Sequence, residues 1–122
     1  MIFCLVAFLQ FACSPSTGDS AAMAVESYIR ALANQNKEEL VNLSCKSWEE
    51  QAVLEVDALL SVGSEVKELS CIVSGEENGF TAVKCEGDLD LTYNDEVRII
   101  ELDRRTYFAM VEDGKWRVCS YK

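Results

Sequence analysis

Asp88 and Asp90 are the residues whose types and spacing look most like chemistry. On a strand they share one face. Two carboxylates held together out of water hold a proton between them and can serve as acid and base. Lys84 and Glu86 fall on that same face, however, so the pattern reads as a solvated outer surface. The chain has no histidine, which removes the commonest acid–base side chain and metal ligand. Its acidic residues are scattered rather than clustered, so no metal site is expected, and nothing calls for a cofactor.

The cysteines offer different chemistry. Cys45, Cys71, Cys85 and Cys119 show no CxxC spacing, a poor match to the usual zinc ligand sets. An even number of cysteines in an exported domain reads as two disulfides. Tyr28, Trp48, Tyr93, Tyr107 and Trp116 are candidates to line an apolar pocket carrying a few polar groups. The competing reading is that these aromatics only fill a small core. Arg98, Arg104 and Arg105 form a local basic patch, with Glu96, Glu101 and Asp103 as the neighbours most able to neutralise it.

The first thirteen residues, Met1 to Cys13, form an uncharged apolar run ending in Ala12-Cys13. It has about the length of a signal-peptide core, whereas a spanning helix needs ~20 apolar residues. Ser14 to Ser20 follows, rich in turn and disorder formers. Such a linker argues against the alternative of a buried N-terminal element in a cytosolic domain. The junction resembles the lipobox of bacterial lipoproteins, in which a leucine and two small residues precede a lipid-modified cysteine. Ala12 and Cys13 fit that pattern, while Leu9 stands one place early and Phe11 is large. The resemblance implies a signal peptide at 1–12, a lipid-anchor cysteine and flexible linker at 13–20, and a folded domain at 21–122. It places the chain in the bacterial cell envelope, extracytoplasmic and membrane-anchored through Cys13. Cys4 would leave with the signal.

The net charge is −10 at neutral pH. Such a surface repels nucleic acid, so no nucleic-acid partner is expected. The sole proline is Pro15, in the linker.

The periodicity of the sequence predicts the elements that must position these residues. Ser20 can cap a helix over 21–34, with Val25, Ile29, Leu32 and Ala33 on one face and Tyr28 at its border. Asn36 and Glu39 resemble a capping pair for a short helix through Leu43. Ser47 and Glu50 suggest a third helix running to Val62, with Gly63 as its stop and Ala52, Val56, Leu59 and Leu60 as its buried stripe. From Glu65 the pattern alternates. A first strand carries Leu69, Cys71 and Val73 on one face. Glu77-Asn78-Gly79 suits a three-residue hairpin loop. A second strand covers 80–93. A third covers 97–111, with a bulge near Asp103-Arg104-Arg105, and a fourth covers 115–121. The fold class is α+β: three N-terminal helices packed on a curved four-stranded antiparallel sheet.

This order of elements, with the ending Asp113-Gly114-Lys115-Trp116-Arg117-Val118-Cys119, resembles the nuclear transport factor 2-like superfamily and its cystatin-like cone. The resemblance covers about residues 21–121. It implies an interior able to hold a small molecule. Enzymes of this type, such as ketosteroid isomerase-like and scytalone dehydratase-like members, use His, Asp and Tyr in a deep pocket. This chain lacks the histidine and has no aspartate on the inner face of its second strand. The expectation is therefore a non-catalytic, membrane-tethered module binding a small apolar ligand or an envelope protein partner. The alternative is a small-molecule isomerase or dehydratase of the same fold.

Register arithmetic proposes the disulfides. With the three-residue loop, Glu76 faces Phe80, and counting back puts Cys71 opposite Cys85. Opposed residues of a non-hydrogen-bonded pair have Cα atoms ~4.5 Å apart, which a disulfide accepts. Cys45 is then left for Cys119, closing a loop of about 75 residues. A two-residue loop at Asn78-Gly79 would shift the register by one, so the other connectivities stay open.

Overall fold

A computed structural model describes residues 17–122, with side chains from residue 20 onward. Cys4, Cys13 and the expected signal peptide and lipid-anchor segments lie outside the described residues. Helix α1 spans Thr17–Ala33, α2 Lys37–Asn42 and α3 Glu49–Ala58. Strands β1 Gly63–Glu77, β2 Phe80–Tyr93, β3 Glu96–Glu101, β4 Thr106–Glu112 and β5 Lys115–Tyr121 form one antiparallel sheet. Among the described residues, no helix is long and apolar enough to cross a membrane.

Helix α1 buries Val25, Ile29, Leu32 and Ala33, the stripe its sequence predicts, together with Ala21 and the bordering Tyr28. It begins earlier than expected. Thr17–Ser20, assigned to linker and cap, form its first turn, so Ser20 does not cap it. Asn36 does cap α2, its side-chain oxygen accepting the Glu39 N–H at 3.2 Å.

Helix α3 departs further from expectation. A 3₁₀ turn at Lys46–Trp48 precedes it, and Ser47 makes no capping hydrogen bond to it. It stops at Ala58 rather than Val62, and Gly63 opens β1 instead of closing the helix. The Gln35 side chain explains the early stop. Its amide nitrogen donates to the carbonyls of Leu59 at 2.5 Å and Val62 at 2.8 Å, holding the chain in a non-helical turn.

The sheet has five strands, not four. The predicted third strand is broken by a 3₁₀ turn at Leu102–Arg104 that buries Leu102 completely. Turning this leucine inward is the physical cause of the slip in alternation around Asp103. β2 is the spine: β1 pairs along one edge, and β3 and β4 divide the other between them. β5 follows β4.

The structure pairs Cys71 with Cys85 and Cys45 with Cys119. The second bond is flanked by backbone pairing. Cys45 N–H donates to Val118 C=O at 2.8 Å, and Val118 N–H donates to Leu43 C=O at 2.7 Å. The helical layer is thus fixed to the sheet edge by both covalent and hydrogen bonds.

Candidate functional site

The helices cover one face of the sheet, and a cavity of about 160 Å³ remains between α3 and the strands. Leu32, Ala58, Leu59, Leu89, Leu91 and Ile100 make most of its wall. Glu55, Arg105 and Tyr121 are its polar members. Three elements bring these together: α3 supplies Glu55, the end of the 3₁₀ turn supplies Arg105, and the end of β5 supplies Tyr121.

Hydrogen bonds order the polar end. Trp48 Nε1 donates to the Tyr28 hydroxyl at 2.9 Å, and that hydroxyl donates to Glu55 Oε2 at 3.3 Å. The Tyr121 hydroxyl donates to Glu55 Oε1. Trp48 meets Tyr121 edge-on with ring centroids 5.8 Å apart, and Tyr107 lies 5.4 Å from the same ring. Arg105 Cζ sits 4.4 Å from the Tyr121 centroid, a cation–π contact.

Burial, and then the Glu55 charge, push the Tyr28 hydroxyl far above the usual tyrosine range. Tyr121 is pushed up to about 12, first by burial and then by its hydrogen bond to Glu55. Tyr107 is also raised by burial, with Arg105 working against it. All three hydroxyls therefore remain protonated donors at neutral pH. Two of these hydroxyls, those of Tyr28 and Tyr121, donate to Glu55.

Three of the predicted pocket residues, Tyr28, Trp48 and Tyr107, gather here. They stand behind Tyr121 rather than on the cavity surface, with Tyr28 and Tyr107 each only 1% exposed. Tyr93 does not join them. It is 57% exposed and lines an outer groove of about 340 Å³ with Glu96 and Arg98. That groove shares Ala58, Leu59 and Leu91 with the inner cavity. Trp116 is half-buried opposite Val111 on the β4–β5 hairpin, away from the cavity.

The arginine patch is dispersed. Arg104 pairs with Glu101 at 2.5 Å, Arg98 lies in the outer groove, and Arg105 turns inward. Asp88 and Asp90 sit on the opposite sheet face from Leu89 and Leu91. Asp90 is not solvated as expected. Its side chain is 13% exposed and pairs with Lys67 at 3.0 Å, while its second oxygen is buried without a partner. Among the described residues, no group of His, Cys, Asp or Glu could hold a metal ion.

Sequence reasoning missed Glu55 and Tyr121, and it put Arg105 in a surface basic patch rather than in the cavity. Glu55 did carry a signal: it lies three residues after Ala52 and four before Leu59, on the apolar stripe of α3.

No family model matches the sequence, and no curated protein matches it. Solved structures do. A LEH-like epoxide hydrolase of M. tuberculosis aligns over 84% of this chain and 83% of its own, at 19% identity and a TM-score of 0.58. An NTF2-like protein with a cystatin-like fold from Novosphingobium aromaticivorans aligns over 84% and 77%, at 10% identity and a TM-score of 0.54. A SEC-C motif containing protein from Rhodopseudomonas palustris aligns over 84% and 80%, at 12% identity and a TM-score of 0.53.

The chain has the nuclear transport factor 2-like fold. In this cystatin-like cone the cavity lies where the helices close over the curved sheet. Likeness at this level of identity speaks for the fold alone and leaves activity to the residues of the site.

Proposed function

We propose that this nuclear transport factor 2-like domain is a non-catalytic binding module, exported and tethered to the envelope membrane through Cys13. Its ligand is a ring-sized, largely apolar molecule seated between α3 and the sheet. The observation that carries this reading is the apolar cavity ending on Glu55, Tyr121 and Arg105. An apolar cavity of roughly 150 Å³ suffices for a benzene-sized guest. The two disulfides suit an oxidising, extracytoplasmic compartment. The apolar run before Ala12-Cys13 supports the tether. The cavity favours a small ligand over the envelope protein partner that the sequence equally allowed.

A second reading is an isomerase, dehydratase or hydrolase. One observation favours it: Glu55 is a carboxylate beside apolar walls, where a base would be placed. Against it, both oxygens of Glu55 already accept tyrosine hydroxyls. A base needs a lone pair aimed at its proton, and these hydroxyls already engage two of those on Glu55.

Methyl NMR with benzyl alcohol as the probe tests the binding reading. The methyls of Leu32, Leu59, Leu89, Leu91 and Ile100 should shift together and saturate. Shifts spread over outward-facing residues such as Ile72 and Val97, or none at all, would remove the cavity as a binding site.

A further inference from the structure

Among the described residues, Arg105 is the only cation lining the inner cavity, and it is underused. A guanidinium has five N–H donors in a fixed fork. Among the described residues, no carboxylate lies within ion-pair distance of Arg105, and its one side-chain hydrogen bond is a long 3.5 Å donation to Tyr107 Oη. Glu55 lines the same cavity, but its carboxylate makes no ion pair with Arg105; its two oxygens accept the Tyr28 and Tyr121 hydroxyls. The Tyr121 ring packs against the guanidinium and limits its movement. The result is a positioned fork with spare donors at the end of an open, apolar pocket. Its complement is a planar, bidentate acceptor.

We infer that the molecule held in this cavity is a small monocarboxylate, its apolar body against Leu89, Leu91 and Ile100 and its carboxylate on Arg105. This rests on the binding reading above and adds the ligand's charge. The protein as a whole works against anions, since its net charge is −10. A preference for an acid over its neutral analogue must therefore come from a local cation. Glu55 lines the same cavity and lowers the expected gain, which is why a cationic probe belongs in the test.

The test compares three probes of nearly equal size: benzoate, benzyl alcohol and benzylamine, titrated by calorimetry into the folded protein. Benzoate is expected to bind about tenfold more tightly than benzyl alcohol, the scale of one charge-assisted pair. Arg105→Gln should abolish the preference, bringing benzoate down to the level of the alcohol measured on the same variant. Arg105→Lys keeps the charge without the fork and should recover part of the preference. Circular dichroism of each variant shows that it folds, and wild-type probe ranking alone already decides the case if one does not. Equal binding of benzoate and benzyl alcohol would overturn the carboxylate and leave the apolar site standing. Benzylamine as the tightest probe would overturn it in favour of Glu55 as the anchor. Failure of all three probes to bind would remove the cavity reading and this inference with it.

Discussion

Arg105 and Tyr121 are stacked, guanidinium on ring at 4.4 Å, and the hydroxyl of that ring donates to Glu55. One aromatic side chain therefore separates the cavity's cation from its anion while touching both. The three groups come from the turn before β4, from β5 and from α3, so any shift between helix and sheet changes their spacing. Tyr121→Phe should keep the stack and free one oxygen of Glu55. It is the mildest way to alter the polar end without emptying it.

Alkaline pH should loosen this domain from about pH 10 upward. Tyrosine in an unfolded chain ionises near 10, whereas Tyr121 in the folded chain is pushed up to about 12 and Tyr28 higher still. Between those values the unfolded chain has lost protons that the folded chain retains. Stability is therefore full below about 10 and falls as pH rises toward 12. Glu55→Gln removes the charge that opposes phenolate formation, so both tyrosines should ionise at lower pH in the folded variant. Ultraviolet titration of phenolate absorbance reads this directly. Tyr121 ionising at its ordinary value in the wild-type protein would contradict the buried network.

Gly87→Ala should be among the most damaging single-methyl changes in the sheet. Gly87 has φ +106°, and a Cβ there would meet the carbonyl oxygens of Lys67 at 2.5 Å and Glu68 at 2.7 Å. Both are backbone atoms at an irregularity in β1, where Glu68 itself has φ +53°. Neither can move without disturbing the ladder. The expected loss is about 3 kcal/mol, from overpacking and dihedral strain together. Gly79→Ala is the control, since its φ of +84° is unfavourable but nothing lies within 4 Å. It should cost about 1 kcal/mol. Urea midpoints at unchanged slope give both values, and equal losses would mean that contact with β1 plays no part.

The stripe of α1 was legible in the sequence because 3.6-residue periodicity is a local property, and so was the Asn36 cap. The cysteine register was legible for an incomplete reason. The hairpin loop has two residues, with Glu77 opposite Phe80 and both Asn78 and Gly79 at positive φ. Alone, that loop would slip Cys71 past Cys85. An extra residue at Ser74 restores the register, since Val73 faces Val83 while Gly75 faces Ala82. Two offsetting irregularities cannot be read from alternation. The early end of α3 depends on Gln35, 24 residues before Leu59, so no local signal announces it. Glu55 and Arg105 were hidden for a related reason. Charged side chains read as surface until the tertiary fold supplies the tyrosines and the cavity around them.

The two disulfides should differ in what they contribute. Cys45 and Cys119 are 74 residues apart in sequence, with Cα atoms at 4.8 Å. Cys71 and Cys85 are 14 apart, at 4.0 Å. In the chain-entropy model the longer loop stabilises by about 4 kcal/mol and the shorter by about 3. The surroundings should widen that gap. Cys71 keeps its place in the β1–β2 ladder without the bond, and its N–H is held by Glu26 Oε1 at 2.9 Å. Cys45 has only the short pairing of residues 43–45 with Val118 to hold it against β5. Replacing Cys45 and Cys119 together by alanine should therefore cost more than replacing Cys71 and Cys85, and should expose amides 43–48 to hydrogen exchange first. Denaturant unfolding of the two double variants gives the comparison. A larger loss from the Cys71–Cys85 pair would show that the hairpin, rather than the tie between helices and sheet, limits the stability of the cone.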